Sequence, residues 1–233
     1  MKQMKNFKFG LAVAAVVTAL AGALSSCAKL DSDYAYYGPN AVVTIKTAES
    51  GETYFQVDKK TTLEPKGWTN PYKKEVRALL RYSEDPEASA LFSKKVRVEW
   101  IDSIRTKAPV PYDEEFKNGA DDAVKLNNDW LTVCEDGYLN LHFTSIAGVG
   151  GKYVHYINLA VDPDGKDLYL RYDKNGDSGY GTPVEGFVAF KIDDVLPEAK
   201  DGDELTLHWT GYDGENSAKV IYSSRFALSE SEK

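Results

Sequence analysis

The chain has 233 residues, with 36 acidic side chains against 28 lysines and arginines, and a formal net charge of −8. Residues 1–26 contain three lysines and no acidic residue, so their removal changes the net charge to −11. Nucleic-acid binding needs a basic surface that displaces counterions from phosphates. The net negative charge therefore excludes nucleic acid as an expected partner. It also gives no reason to expect electrostatic binding to anionic lipid.

The N-terminus has the pattern of a bacterial lipoprotein signal. Lys2, Lys5 and Lys8 precede an apolar segment at 11–24, and two serines then lead to Cys27. A basic start, an apolar region and small residues before a cleavage point are typical of a secretory signal. A retained transmembrane helix is the alternative, but about 14 apolar residues are fewer than the roughly 20 that span a bilayer. We therefore predict that residues 1–26 are cleaved and that Cys27 is lipid-modified.

Residues 27–40 are predicted to be the acylated N-terminus and a tether, because they show neither a helical nor a strand period. The acidic pair Asp31 and Asp33 resembles the export tag that carries lipoproteins to the outer leaflet in some Gram-negative anaerobes. We expect an outer-membrane lipoprotein displayed at the cell surface, held to the membrane through the N-terminal lipid. With Cys27 acylated, Cys134 has no partner for a disulfide, so the fold must rest on its core. We interpret Cys134 as a small buried hydrophobe, with a reactive thiol as the alternative.

Residues 41–105 carry short runs rich in Val, Ile, Thr and Tyr between turn signals, which predicts strands. The predicted strands are 41–48, 53–57, 61–64, 75–82 and 94–104. In the last of these, Val96, Val98 and Trp100 alternate with charged residues, as in a sheet with one buried face. Pro86 favours one short helix in residues 85–92. Five strands of this length predict an OB-like barrel.

Residues 106–124 interrupt the strand pattern with prolines, glycine and acidic runs, and we interpret them as an interdomain linker. Seven further strands are predicted in residues 125–229, at 130–134, 138–145, 152–161, 168–172, 187–192, 204–209 and 218–223. Asp or Asn followed by Gly marks several of the turns between them, because both residues tolerate positive φ. Seven short strands over this length predict an antiparallel, Ig-like β-sandwich. The predicted fold class is all-β, with an N-terminal barrel and a C-terminal sandwich.

These features together resemble the NigD-like lipoproteins. The resemblance rests on the acylated leader and on five segments of strand-like sequence, at 96–100, 130–133, 136–141, 153–159 and 168–173. It covers nearly all of the mature chain, through strand patterns rather than chemical signatures. It implies an OB-like N-terminal domain and a β-sandwich C-terminal domain. The family gives no established activity, only an association with a bacteriocin operon that suggests an immunity or accessory role.

One acidic turn is a weak candidate for a calcium loop. Asp173, Asn175 and Asp177 place side-chain oxygens at alternate positions, as the first three ligands of an EF-hand do. The match fails further on, because the glycine stands one place late and Val184 occupies the position of the bidentate glutamate. An Asx-rich hairpin turn around Asn175 is the alternative. We therefore predict no metal site and no cofactor, and we keep the turn as a candidate.

No catalytic motif stands out in the rest of the chain. Residues 148–152 are glycine-rich but lack the first glycine and the Ser or Thr of a phosphate loop, which favours a flexible hairpin loop. His142, His155 and His208 fall in strands without metal-pair spacing, and a cross-strand pair of His142 with His208 is left open. No Gly-x-Ser-x-Gly elbow is present. We predict that the protein is not an enzyme.

The chain has 15 tyrosines against 9 phenylalanines, so a good share of the tyrosines must lie near the surface with their hydroxyl groups in water. Exposed tyrosines are suited to ligand binding. Those beside loops or the linker could stack on a sugar or a peptide, or else pack within strands: Tyr72, Tyr112, Tyr169, Tyr172 and Tyr180. The first functional hypothesis is a lipid-anchored, non-enzymatic binding or accessory module whose ligand is an envelope protein, a peptide or a glycan. The alternative is a bacteriocin immunity or inhibitor protein, and the third hypothesis is a surface glycan hydrolase.

Overall fold

The computed structural model describes residues 38–148, 152–178 and 180–227. The predicted signal peptide, Cys27 and most of the tether lie outside the described residues, as do residues 149–151 of the glycine-rich loop. Residues from Asn40 onward form one compact unit. This unit is all-β, as predicted, and no helix in its described part is long and apolar enough to cross a membrane.

The N-terminal half is a closed five-stranded barrel. Its strands are β1 (Ala41–Thr47), β2 (Thr53–Gln56), β3 (Thr62–Pro65), β4 (Val76–Glu84) and β5 (Lys94–Ser103). They follow the order β1-β2-β3-β5-β4 around the barrel, and only the β3–β5 pair is parallel. Alternate residues of each strand point inward, so Val43, Ile45, Phe55, Leu80 and Val96 fill the interior. The five predicted strands and the predicted OB-like barrel are thus confirmed.

A β-bulge places Trp100 on the outer face of the barrel instead of the inner face. The register between β4 and β5 shifts between Arg81 and Tyr82, and an extra residue of β5 is left unpaired. Val96 and Val98 therefore pack inside the barrel, whereas Trp100 packs on the outside, against the sandwich. The prediction that Trp100 shares the face of Val96 and Val98 was wrong, because sequence alternation does not register a bulge.

The predicted short helix in residues 85–92 is also absent, because this segment consists of bends. The Asp85 carboxylate accepts a hydrogen bond from the Glu87 backbone N–H at 3.0 Å, and Ser89 Oγ accepts one from the Phe92 N–H at 2.9 Å. Such local side-chain bonds compete with a helical backbone. They close two successive turns instead.

The C-terminal half is a sandwich of two sheets. Its strands are β6 (Arg105–Lys107), β7 (Lys125–Leu126), β8 (Val133–Glu135), β9 (Tyr138–Gly148), β10 (Tyr156–Val161), β11 (Asp167–Asp173), β12 (Gly181–Lys191), β13 (Glu204–Gly211) and β14 (Gly214–Ile221). One sheet has the order β6-β12-β9-β7, with β8 also paired to β9, and the other has the order β10-β11-β13-β14. Leu139 and Leu141 of the first sheet pack against Leu205 and Leu207 of the second. The predicted sandwich is confirmed, but it is not wholly antiparallel, because β11 pairs in parallel with β13 and β6 with β12.

The segment that the sequence marks as a linker is packed against the sandwich. Its first residues belong to β6, which pairs in parallel with β12. Val110 forms a β-bridge with Ala160, and Tyr112 stacks on Tyr169 with 4.8 Å between ring centroids. A short helix α1 (Glu114–Lys117) follows, capped by the Asp113 side chain. The prolines and acidic residues of this segment end the strands, but the segment still packs on the sandwich.

Barrel and sandwich share an apolar interface. Val42, Leu79 and Ile104 from the barrel side meet Tyr138 and Ala189 from the sandwich. The outer face of β9 is covered as a result, so its polar residues Asn140 and His142 are buried although they alternate with core leucines. Both faces of β9 are therefore buried in its first part, from Tyr138 to His142.

Candidate functional site

A buried ionic cluster joins the barrel to the sandwich. Lys46 of β1 donates to Asp136 Oδ1 of the β8–β9 turn at 2.8 Å, and also to the Phe226 carbonyl at 2.8 Å. The Asp136 side chain is fully buried and that of Lys46 is 7% exposed. Arg225 donates to Glu75 Oε2 at 2.5 Å, while Tyr138 donates to the other oxygen of Glu75. We call these residues with Phe226 the interdomain clamp.

Burial has opposite effects on the two ends of this cluster. It lowers the pKa of Lys46 below its usual value, although the hydrogen bond to Asp136 acts to raise it. Burial raises the pKa of Tyr138, and the carboxylate of Glu75 adds to that increase. The Lys46 ammonium and the Tyr138 phenol are both donors here, so the clamp depends on proton-bearing partners that face carboxylate oxygens.

A second buried cation lies beside the clamp. Arg77 of β4 is fully buried, and it donates to Thr44 Oγ1 at 2.9 Å and to Asn140 Oδ1 at 3.2 Å. Its Nη2 lies 3.6 Å from the Glu135 carboxylate. Burial lowers the pKa of Arg77 and raises that of Glu135. These polar contacts align the barrel with one end of β9.

An apolar groove of about 640 Å³ lies in the sandwich. It lies between β14 at the edge of one sheet and the short strands β7 and β8 at the edge of the other. Its apolar walls include Leu126, Cys134, Leu207, Trp209, Ala218 and Val220. We call this cavity the sandwich groove. It forms because β7 and β8 each pair with only a few residues of β9, and the loop between them leaves the sheets apart.

The backbone of β14 adds hydrogen-bonding groups to the rim of the groove. β14 pairs with β13 along its whole length, from Gly214 opposite Gly211 to Ile221 opposite Glu204. No strand in the described ranges pairs with its other edge. In an antiparallel pair closed by a two-residue turn, alternate residues direct N–H and C=O groups outward. The Thr206 N–H donates to the Lys166 carbonyl, so the backbone groups of Thr206 point away from β14. Lys219 lies opposite Thr206, and its N–H and C=O therefore point away from β13, toward the free edge. Ser217, two residues earlier, has the same orientation.

Cys134 lines the groove with its side chain partly buried against the sandwich core. Burial raises the pKa of its thiol to about 11. The thiolate is the nucleophilic form of cysteine, so this environment suppresses reactivity near neutral pH. The geometry fits the interpretation of Cys134 as a small hydrophobe.

The three histidines lie in three separate places, each against a carboxylate. His142 lies 2.6 Å from Asp129, His155 lies 3.0 Å from Asp177, and His208 lies 2.7 Å from Asp167, by nitrogen-to-oxygen distance. His142 and His208 belong to different sheets, so the cross-strand pair left open by the sequence does not exist. His155 also contacts the Tyr172 hydroxyl at 2.5 Å. These contacts hold each imidazole ring in a fixed orientation.

The candidate calcium turn is used for other contacts. Asp173 Oδ1 accepts a hydrogen bond from the Asn175 N–H at 2.6 Å, which is an Asx turn. Asp177 Oδ2 contacts His155 and accepts from the Gly148 N–H at 2.7 Å. Asn175 and Gly176 have positive φ, but the turn leads from β11 in one sheet to β12 in the other and is not a hairpin. Within the described ranges, no three His, Cys, Asp or Glu side chains are grouped to hold a metal ion.

The five tyrosines beside loops have different environments. Tyr172 is buried in the sandwich core, and Tyr112 and Tyr169 stack on each other. Tyr180 is 86% exposed, and Tyr72 lines a smaller cavity in the barrel. The sequence identified Tyr72 as candidate binding material, but it did not identify the clamp or the groove. Lys46 and Arg77, each among apolar residues of a strand, were the local signals of buried cations.

Solved structures with the same fold include proteins from Parabacteroides and Bacteroides species. A candidate toxin-related protein from Parabacteroides distasonis is 27% identical, with a TM-score of 0.64, over 79% of this chain and 92% of that one. A NigD-like immunity protein from Bacteroides caccae is 19% identical, with a TM-score of 0.51, over 78% and 91%. A candidate lipoprotein from Bacteroides fragilis is 14% identical, with a TM-score of 0.56, over 79% and 97%. At such low identity the last two show the fold alone.

The family comparison covers both halves of the chain. No curated protein matches it. Residues 42–104 match the NigD-like N-terminal OB domain, and residues 108–222 match the NigD-like C-terminal beta sandwich domain. These ranges coincide with the closed barrel and with the two-sheet sandwich described above. The resemblance inferred from the sequence is confirmed: the chain belongs to the NigD-like family.

Proposed function

We propose that this protein is a lipid-anchored, non-enzymatic binding module of the cell envelope, and that its sandwich groove binds an extended peptide segment of another envelope protein. One observation carries the proposal, the combination of an unpaired strand edge with an apolar groove beside it. A peptide added to β14 gains main-chain hydrogen bonds from Ser217 and Lys219. Its alternate side chains would enter the groove beside Trp209 and Val220, so it needs apolar residues at every second position.

The proposal can be tested with short random peptides displayed on phage and selected on the immobilised mature protein. We expect the enriched peptides to alternate apolar and polar residues. Ser217→Pro removes an outward N–H without removing a bond to β13, and proline is tolerated at such edge positions. It should weaken the binding of a selected peptide about tenfold, equivalent to about 1.4 kcal/mol. Ser217→Ala keeps the N–H and serves as the matched control. Selected peptides that bind Ser217→Pro as tightly as the unchanged protein would refute binding at this edge.

The lipid anchor is part of the same proposal and rests on the sequence from Lys2 to Cys27. Cells that express the protein should incorporate labelled palmitate into it, and Cys27→Ala should abolish the label and release the protein from membranes. Cys134→Ala is the control, because that side chain lies in the groove. Surface display predicts cleavage of the protein by a protease added to intact cells. A Cys27→Ala protein that stays in the membrane fraction would contradict the anchor.

A role in bacteriocin immunity is the second candidate function. It is favoured by the neighbour from Bacteroides caccae, which is described as an immunity protein, and by the toxin-related neighbour. An immunity protein must bind a toxin or its target, and the sandwich groove is a suitable surface for a peptide toxin. A deletion strain should then be killed more readily by bacteriocin-producing neighbours than its parent. Equal survival of the two strains would remove this candidate.

A further inference from the structure

The barrel has a cavity of its own, of about 330 Å³, that is separate from the sandwich groove. It lies between the end of β1 and the segment that leads into β4. Lys46, Lys73, Lys74, Asn70, Tyr54 and Tyr72 contribute to its walls. We call it the barrel cavity. Three lysines in one cavity are notable in a chain with an excess of acidic side chains.

Lys46 is paired with Asp136, but the other two lysines of the barrel cavity are not neutralised by the described residues. In the part of the chain that the structure describes, neither Lys73 nor Lys74 forms an ion pair. Glu75 is the one acidic residue among the described lining residues, and both of its oxygens already accept hydrogen bonds, from Tyr138 and Arg225. An anion entering the cavity therefore meets two free ammonium groups without facing a free carboxylate.

Asn70 leaves donors available at the cavity. The Lys46 ammonium is directed to Asp136 and the Phe226 carbonyl in the interdomain clamp, so it is not counted among these donors. Asn70 accepts a hydrogen bond from the Tyr72 N–H through Oδ1 at 2.9 Å, so its amide N–H groups are free to donate. The polar groups of the cavity are thus mainly donors, which matches a ligand made of acceptor oxygens.

From this charge and donor pattern we infer that the barrel cavity binds a small organic carboxylate. Lys73 and Lys74 are expected to meet the carboxylate, and the Asn70 amide to donate to a further oxygen of the ligand. The volume is at the lower end of the range for small-molecule sites, which suits a molecule the size of one or two sugar rings. Tyr72 offers a ring surface for the apolar face of such a molecule. Sugar acids combine these properties.

The test is a titration of the folded mature protein followed by amide resonances in NMR spectra. Glucuronate, N-acetylneuraminate and tartrate are the carboxylate probes, and glucose is the uncharged comparison. We expect saturable shifts confined to residues 45–47 and 70–75 with at least one carboxylate, and binding of glucose about tenfold weaker or weaker still. The double variant Lys73→Met with Lys74→Met should weaken carboxylate binding about tenfold or more. Lys46 is left unchanged, because it belongs to the interdomain clamp.

Lys166→Met, which removes an exposed lysine from a turn of the sandwich, is the matched control for general electrostatic attraction. Equal loss of binding in this control and in the double variant would overturn the inference. So would the absence of saturable shifts with all three carboxylates, or equal binding of glucose and glucuronate. Amide spectra of each variant verify that it is folded. Peptide binding at the sandwich groove is measured on the same samples, so that failure at one site is distinguishable from failure at the other.

Discussion

At the scale of single residues, the interdomain clamp concentrates charge where water is excluded. Lys46 and Asp136 are almost completely buried and lie 2.8 Å apart, with Arg225 as a further cation. Bringing two ions out of water costs several kcal/mol, and the cost is offset only when geometry and hydrogen bonds are good. Removing one partner is therefore more damaging than the net contribution of the pair suggests.

Asp136→Asn should lower the free energy of unfolding by about 3–5 kcal/mol. The shape is preserved, and Asn tolerates the positive φ of 53° at this position, so the loss reflects the unpaired charge on Lys46. Glu204→Gln is the control, because Glu204 pairs with Lys219 while both side chains are more than half exposed. This exposed pair should contribute less than about 1 kcal/mol. Urea denaturation of both variants checks the difference, and equal midpoints would contradict it.

A second prediction at this scale concerns pH. The Asp85 side chain is 3% exposed, and the Arg97 guanidinium at 2.8 Å, with the Glu87 N–H, lowers its pKa to about 2. A carboxylate with a lowered folded pKa contributes stability above its unfolded pKa, here 3.8, and loses it as the pH falls through about 2. Asp85→Asn should therefore remove part of the decline in stability between these pH values.

The measurement for Asp85 is the melting temperature as a function of pH for the unchanged protein and for Asp85→Asn. The two curves should converge at the acidic end, since the native carboxylate is protonated there. Asp164→Asn, at an exposed turn residue, should give a curve parallel to that of the unchanged protein. A curve for Asp85→Asn that also runs parallel over the whole range would show that the Arg97 contact contributes no pH dependence.

At the scale of elements, the pairing of β9 with β12 is the longest in the sandwich, from Tyr138 opposite Lys191 to Gly148 opposite Gly181. Gly186 stands opposite Phe143 within it. A Cβ atom at Gly186 would lie 2.5 Å from Phe143 Cζ, so the aromatic ring occupies the space that the glycine leaves. Phe143 in turn packs against the sandwich core.

Gly186→Ala should therefore destabilise the protein by about 1–3 kcal/mol through overpacking. Phe143→Leu removes the ring, so Gly186→Ala should cost less in that background than in the unchanged protein. Thr182→Ala, at an exposed position of β12, is the control, with an expected change within about 0.5 kcal/mol. Chemical denaturation of the unchanged protein, the two single variants and the double variant completes the double-mutant cycle, and strictly additive effects would contradict direct contact as the cause.

At the scale of the whole molecule, the barrel and the sandwich form one unit because polar and apolar contacts hold them together. The apolar interface around Leu79 and Ala189 is joined by the clamp and by the contacts of Arg77. The end of the described chain takes part, since Phe226 binds Lys46 and Asp136 through its backbone. The two halves should therefore unfold together in one cooperative transition.

Removal of residues 225–233 should lower the stability of the mature protein by about 3 kcal/mol, because it takes Arg225 and Phe226 from the clamp. For a chain of this size the melting temperature should fall by roughly 6–12 °C. Removal of residues 228–233 leaves the clamp intact and is the control. Calorimetry distinguishes the two, and a full-length chain that melts in two separate transitions would contradict the single unit.

Local pattern in the sequence was sufficient for most of the fold. Alternation in β9 and β13 identified the faces that carry Leu139 and Leu207, and the Asp136-Gly137 pair identified the tight turn between β8 and β9. These signals are local because side-chain period and positive φ depend on a few neighbouring residues. The same kind of signal identified Cys27 as the predicted lipid site. Such features could be predicted without knowing which strands pair.

The clamp, the sandwich groove and the barrel cavity depend instead on strand pairing and on contacts across the chain. Lys46 meets Asp136 across 90 positions, and Trp100 changes faces at a bulge that no alternation records. The groove exists because β14 ends one sheet while β7 and β8 only partly cover the edge of the other. Local conformational preferences determine the strands and turns. Buried ion pairs and cavities form only when groups from distant segments come together, and those contacts are made in the tertiary structure.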